Sequence, residues 1–273
     1  MAGAGGKPGH FLQKFKMKKH LLFFFLLISV AGLSNEPAPG KNVFVLRIYR
    51  LKTAEQLRQV HSFLQNAYLP ALHRLGIHKV GVFQPLANDT AIQKSVYVLV
   101  PFESLNAWNN AEERLKKDAV YLTSAHEFIA ATIDRVPYDR METVLLDAFS
   151  RQPGIVTPAQ QNPERIFELR SYESPTEDLH KKKVNMFETG EIDIFDRLGF
   201  RSVFYARAIS GSRMPNLMYM PAFDNMAAHD SLWKKFGADP KWKEMSALPE
   251  NENKISVSHI ESILMHSMPY SDY

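Results

Sequence analysis

An arginine and a tyrosine on one predicted strand are the residues of this chain whose types and spacing best suit chemistry. Arg170 and Tyr172 are two positions apart, and a strand places such neighbours on the same face. A guanidinium beside a phenol can hold a ligand that carries an anionic group or a carbonyl. The pair can also be structural, with Arg170 bonded to Glu168 or to Glu261. The sequence therefore predicts either a ligand anchor or a structural ion pair here.

A histidine and a tryptophan on a predicted helix extend this candidate site. His229 and Trp233 are one helical turn apart, so they share a helical face and can form the edge of a pocket. A histidine that only packs against the rest of the core is the alternative. If the protein is an enzyme, the candidates for its acid and base steps are Tyr172, His229 and Glu261.

Similar segments recur along the chain. The tetrapeptide Leu-Arg-Ile-Tyr at 46–49 returns as Leu-Arg-Ser-Tyr at 169–172, which is 123 positions later. Repetition at a nearly constant offset indicates a duplicated domain, with one copy at 43–149 and the other at 165–268. The first copy adds three candidates for ligand binding, which are Arg47, Tyr49 and Glu142.

Each copy is predicted to follow the order β-α-β-β-α-β. Alternating apolar and polar residues indicate the first strand, and Thr53 with Gln56 has the pattern of a helix cap after it. This order is that of ferredoxin-like domains. A linker rich in proline and glutamine at 150–164 separates the copies. The predicted fold class is therefore α+β, with two tandem ferredoxin-like domains that pair as a pseudo-dimeric α+β barrel.

This barrel also predicts where the two faces of each first strand point. Phe44, Leu46 and Ile48 are expected to meet the helices, while the arginine and tyrosine face lines the lumen between the sheets. A charge in such a lumen must be paired or ligand-bound, because burying it alone is costly. Arg47 is accordingly expected to meet Glu142. A small molecule that is partly apolar or anionic is predicted to bind in the lumen.

Short motifs of the second copy resemble those of NIPSNAP proteins. They are Phe-Glu-Leu-Arg-Ser-Tyr at 167–172, Phe-Asp-Arg-Leu-Gly-Phe at 195–200, Leu-Met-Tyr-Met at 217–220 and the helix from 229 to 233. The resemblance implies a ferredoxin-like fold of the dimeric α+β barrel kind, usually with two units per chain. Animal members of the family are associated with mitochondria and with signalling to the mitophagy machinery, and the family has no agreed reaction.

Related barrels suggest further functions. They include haem peroxidases, haem-degrading oxygenases and cofactor-free monooxygenases. Haem needs an axial histidine, but no histidine here has a distinguishing local motif and no pair has the spacing of a metal site. We therefore predict no cofactor, with haem as the alternative. A cofactor-independent monooxygenase or isomerase is the second predicted function, and a protein-interaction module without a ligand is the third.

Residues 1–34 have the composition of an export leader. A basic stretch at 17–20 precedes apolar residues at 21–30, and small residues follow as far as Ser34. Cleavage near Ser34 predicts a periplasmic or extracellular protein, whereas an uncleaved leader would anchor it to a membrane. Beyond this leader 28 basic and 29 acidic side chains remain, so no nucleic-acid partner is expected. Association into a homo-oligomer stays open.

Overall fold

The computed structural model describes residues 41–273 and, near the start, Gly3, Gly5 and Gly6. The predicted leader lies outside the described residues, apart from these three glycines. Among the helices of the described part, none has the length and apolar character needed to cross a membrane.

Eight antiparallel strands form a closed barrel. They are β1 (Val43–Leu51), β2 (Gly81–Pro85), β3 (Lys94–Phe102), β4 (Arg140–Ala148), β5 (Ile166–Glu173), β6 (Arg201–Ser210), β7 (Asn216–Phe223) and β8 (His259–Ser267). Their order around the barrel is β1-β3-β2-β8-β5-β7-β6-β4. Each half thus has the same internal order, and the pairs β2–β8 and β4–β6 join the halves. The predicted α+β barrel is confirmed.

Helices cover the outside of the barrel. In the first half they are α1 (Ala54–Phe63), α2 (Leu69–Arg74), α3 (Leu105–Leu115), α4 (Ala119–Ser124) and α5 (His126–Ile129). In the second half they are α6 (Glu177–Met186), α7 (Ile192–Leu198), α8 (Met226–Ala238), α9 (Pro240–Ser246) and α10 (Asn253–Ser256). A π-helical turn joins α1 to α2 at Leu64–Tyr68, and another joins α6 to α7 at Phe187–Glu191. Such turns are rare and occur frequently at functional sites.

The helix ends follow local chemistry. Thr53 caps α1 as predicted, because its hydroxyl accepts a hydrogen bond from the Gln56 N–H at 3.1 Å. In the second half Thr176 caps α6, because its hydroxyl accepts a hydrogen bond from the Leu179 N–H at 3.3 Å. Gly199 ends α7 in the left-handed conformation, with φ of 90°, which glycine adopts without strain.

The two faces of the strands point opposite to the prediction. Phe44, Leu46 and Ile48 belong to an apolar cluster to which all eight strands contribute and no helix does, so this cluster fills the lumen. Tyr49 packs instead with α1, and Tyr172 packs with the helical side chains of the second half. The prediction that the arginine and tyrosine face lines the lumen is therefore wrong. The interior of a closed barrel is dry, so apolar side chains fill it, while helices can supply polar partners on the other side.

Candidate functional site

A buried carboxylate organises the candidate site in the second half. Glu168 lies on the helix-facing side of β5 and is 2% exposed. Its Oε1 accepts hydrogen bonds from Arg170 Nη1 at 2.5 Å and from the Ser262 hydroxyl at 2.6 Å. Its Oε2 accepts one from Trp233 Nε1 at 2.6 Å and lies 3.3 Å from His229 Nε2. A carboxylate can be buried at modest cost only when it has partners of this kind.

Local structure sets the positions of these partners. The side chain of Asn225 caps α8 by accepting a hydrogen bond from the Ala228 N–H at 2.9 Å. From that start, His229 and Trp233 fall on the same helical face, one turn apart, and both reach Glu168. Ser262 approaches from β8, which pairs with β5. The site is therefore assembled from three separate elements.

Arg170 is held on several sides. Its Nε and Nη2 donate to the Tyr172 hydroxyl at 3.2 and 2.9 Å, and that hydroxyl lies 3.0 Å from the Tyr219 hydroxyl. The guanidinium carbon lies 4.6 Å from the ring centre of Trp233, which is a cation–π contact. Burial would lower the pKa of Arg170, but the two tyrosines and Glu168 raise it overall, so the group stays cationic.

The site reaches the surface. The side chains of Arg170 and His229 are 18% and 15% exposed, and Ser262 is exposed. His229 Nδ1 lies 2.8 Å from the carboxylate of Asp230, whose side chain is mostly in solvent. A cation, an imidazole and an indole are thus presented together at a half-open position. This combination can bind an anionic or carbonyl oxygen and take part in proton transfer.

Five predicted site residues come together here, while the other four, which are Glu261, Glu142, Arg47 and Tyr49, do not. The five are Glu168, Arg170, Tyr172, His229 and Trp233. Glu261 instead forms an ion pair with Arg213, so the predicted bond between Arg170 and Glu261 is wrong and the predicted one to Glu168 is confirmed. Glu142 lies at the same end of the barrel as Glu261 and pairs with Arg50 at 3.1 Å.

The first-half arginine has different partners from those expected. Arg47 bonds to the Tyr68 hydroxyl at 2.9 Å and to Glu112 at 2.5 Å, and it does not bond to Glu142. Trp108, one turn before Glu112 on α3, donates to the same carboxylate at 3.3 Å. Burial raises the pKa of Tyr49 to about 12, and Arg47 lowers it only in part. The first half therefore also has an arginine, a carboxylate and an indole in contact.

Sequence reasoning missed several of these residues. Glu112 follows Trp108 by one helical turn, and this spacing could have revealed their contact. Ser262 and Tyr219 lie on strands that flank β5, as the ferredoxin-like order predicts, but the sequence does not show which residues of those strands lie beside Glu168 and Arg170. Such residues become visible only when the register of the strands is known.

A cavity lies at the end of the lumen where Glu142 and Glu261 lie. Their ion pairs with Arg50 and Arg213 surround this cavity of about 20 Å³, which is room for roughly one water molecule. Below it lie apolar side chains, among them Ile48. Most anchors predicted for a lumen ligand lie on the helix side instead, among them Arg170 and Tyr172, whereas Glu142 lines this cavity.

No group of three or more histidine and carboxylate side chains within the described residues is arranged to hold a metal ion. No curated protein sequence matches this chain.

Several solved structures share the fold of this chain. A proposed monooxygenase from Fusobacterium nucleatum matches with a TM-score of 0.57 and 7% identity, over 84% of this chain and 94% of that one. A second one, from Lactobacillus acidophilus, matches with a TM-score of 0.54 and 13% identity, over 83% and 94%. An anthrone oxidase-like protein matches with a TM-score of 0.53 and 9% identity, over 84% of this chain and 92% of that one. At these identities the likeness shows a shared α+β barrel fold.

The second half of the chain matches a family model. Residues 167–272 match the NIPSNAP family model. The resemblance inferred from the motifs of this stretch is confirmed. The matched residues include the whole cluster around Glu168.

Proposed function

We propose that the second half binds a small, partly apolar molecule through an anionic or carbonyl oxygen, with Arg170 and His229 as polar anchors beside Trp233. The observation that carries this proposal is the set of four partners around buried Glu168. They hold a guanidinium, an imidazole and an indole in fixed positions at a half-open site. Groups held in place before binding lose little entropy when a ligand arrives.

Arg170 has hydrogen-bonding capacity left for a ligand. A guanidinium has five N–H groups, and the bonds to Glu168 and Tyr172 use three of them. The two that remain lie on the two terminal nitrogens, which is the geometry that binds two oxygens of one carboxylate. The ring of Trp233 against the guanidinium supplies an apolar surface. A planar acid or carbonyl compound fits this chemistry.

The fluorescent probe 8-anilinonaphthalene-1-sulfonate, which is apolar and anionic, tests the proposal. Titration of the full chain is expected to show saturable binding, and Arg170→Gln is expected to weaken it by about tenfold or more, which corresponds to the loss of one charge-assisted hydrogen bond. Arg47→Gln in the first half is the matched control and should leave binding unchanged. Equal binding by both variants, with circular dichroism showing both folded, would contradict the proposal.

An enzyme is the second candidate, because the structures with the same fold include proposed monooxygenases. His229 lies between buried Glu168 and exposed Asp230, and a histidine oriented by a carboxylate suits proton abstraction from a phenol. Oxygen uptake with a panel of quinols would test this activity. The activity should disappear in His229→Gln, and turnover that survives this substitution would rule out the role of His229.

We also propose that the chain is exported, on the basis of the leader pattern in residues 1–34. The intact mass of the protein recovered from an expressing cell tests this. A start near residue 35 supports cleavage, and a full-length mass contradicts it.

A further inference from the structure

A lysine lies buried under the helices of the second half. Among residues 41–273, Lys183 is the one buried lysine, with 1% exposure. Its amine donates to the side-chain oxygen of Asn253 at 3.0 Å. The amine nitrogen lies 5.5 to 6.0 Å from the ring centres of Tyr172, Phe187 and Trp242. The amine is thus enclosed mainly by aromatic surface.

A carboxylate with an unused oxygen lies beside this amine. Glu191 ends the π-helical turn, is 2% exposed, and has its Oε2 at 3.9 Å from Lys183 Nζ. That distance is too long for a hydrogen bond, and the buried Oε2 has no other partner. Burial raises the pKa of Glu191 to about 7 and lowers the pKa of Lys183. An amine that loses its proton easily therefore lies next to a carboxyl group that can exchange one near neutral pH.

The first half shows that the fold does not require this pair. The positions that correspond to Lys183 and Glu191 at the repeat offset of 123 are Val60 and Tyr68, and both are buried. The π-helical turns correspond at the same offset. A buried ion pair often stabilises a protein no more than well-packed apolar residues do. Packing alone therefore does not account for the charged pair.

We propose that Lys183 is a reactive amine that forms an imine with a small apolar aldehyde or ketone, and that Glu191 carries the protons. The neutral Nζ attacks the carbonyl carbon, a C–N bond forms, and the carbonyl oxygen becomes a hydroxyl. Glu191 accepts a proton from the nitrogen and donates it to this hydroxyl. The C–O bond then breaks, water leaves with both amine hydrogens, and the C=N bond remains. The aromatic rings receive the apolar part of the carbonyl compound.

A single helical turn covers the amine. Asn253 is exposed, begins the four-residue helix α10, and lies directly over Lys183 Nζ. The proposed reaction requires this short turn to move aside so that a carbonyl compound reaches the amine. The inference does not depend on the proposed ligand site, because Lys183 and Glu191 take no part in the cluster around Glu168.

Reductive trapping tests the inference on the full chain. The folded protein is treated with benzaldehyde and sodium cyanoborohydride at neutral pH, and modified lysines are quantified by peptide mass spectrometry. Lys183 is expected to be modified several-fold faster than Lys182, an exposed neighbour that pairs with Asp178, because burial lowers the pKa of Lys183 and so makes its neutral amine more abundant. An unmodified Lys183 beside a modified Lys182 would overturn the inference.

Two variants complete the test. Lys183→Met should remove this one adduct while circular dichroism shows an unchanged fold, and Glu191→Gln should slow the modification of Lys183 several-fold because proton transfer is lost. Modification of Lys183 at the original rate in Glu191→Gln would overturn the role of Glu191. Binding of the anionic probe is expected to survive Lys183→Met, so failure of this inference and failure of the ligand site give different results.

Discussion

The two halves of the barrel hold an arginine at the same position and surround it differently. Around Arg47 the carboxylate comes from a helix, as Glu112, and its side chain is 31% exposed. Around Arg170 the carboxylate comes from the strand itself, as Glu168, and is almost completely buried. The indole also comes from a different position in each half. At the repeat offset of 121, Trp233 corresponds to Glu112, while Trp108 corresponds to His229. One pattern of contacts is thus built from different positions.

The surroundings of the two arginines differ in polarity. Valines of the first half correspond to ionisable groups in the second, as in the pairs Val45 and Glu168, Val60 and Lys183, and Val98 and Tyr219. Buried charges cost free energy that apolar residues do not. The first half shows that this layer can be packed with valine, so packing alone does not require the polar residues of the second half. The match to the NIPSNAP family covers this same half.

Removal of the two carboxylates should have the largest effect and should differ between the halves. Glu168→Ala leaves Arg170 without its buried counter-charge and is expected to lower the free energy of unfolding by about 3–5 kcal/mol. Glu112→Ala should cost only about 1 kcal/mol, because solvent reaches that carboxylate. Urea unfolding of both variants measures the difference. Equal losses would show that the two sites are energetically alike.

The buried carboxyl of Glu191 should make stability depend on pH. Burial raises its pKa from 4.5 to about 7, so the folded protein holds this proton more tightly than the unfolded chain does. Its contribution to stability is complete below about pH 4.5 and is lost as the pH rises through about 7, by up to about 3 kcal/mol.

Unfolding free energies at several pH values check this expectation. A variant with Lys183→Met and Glu191→Gln should gain stability relative to the natural chain between pH 4.5 and 7, because it lacks the titrating group. If the free energies of unfolding of the two proteins differ by the same amount at every pH, the expectation is contradicted.

Transfer of first-half residues into the second half tests whether the polar layer serves function. The double substitution Lys183→Val and Glu191→Tyr introduces the residues found at Val60 and Tyr68 and is expected to raise the free energy of unfolding by about 2 kcal/mol. Thermal and urea unfolding measure the change. A large loss of stability would instead show that the charged pair is required for packing.

The helix caps should behave alike in both halves and have the smallest effect. Thr53 and Thr176 each accept a backbone N–H hydrogen bond, at 3.1 and 3.3 Å. Replacement of either threonine by alanine is expected to cost about 1 kcal/mol. Unequal costs, measured by urea unfolding, would show that the helices of the two halves contribute differently to stability.

Much of the candidate site could be predicted, but its location could not. The spacing of Arg170 and Tyr172, and that of His229 and Trp233, correctly grouped residues that meet in the structure. The side of the sheet on which they meet was predicted wrongly. Both faces of β5 are buried, so neither its alternation nor its polarity shows which face lies inside the barrel.

The sequence by itself determined the repeat, the order of strands and helices in each copy and the residues that share a face. These properties depend on local spacing, since a strand repeats every two residues and a helix every 3.6. Only the tertiary structure decided that phenylalanine and leucine fill the lumen and that Glu168, and not Glu261, neutralises Arg170. Closure of the barrel and docking of α8 bring together residues far apart in the chain, and local spacing carries no information about such contacts.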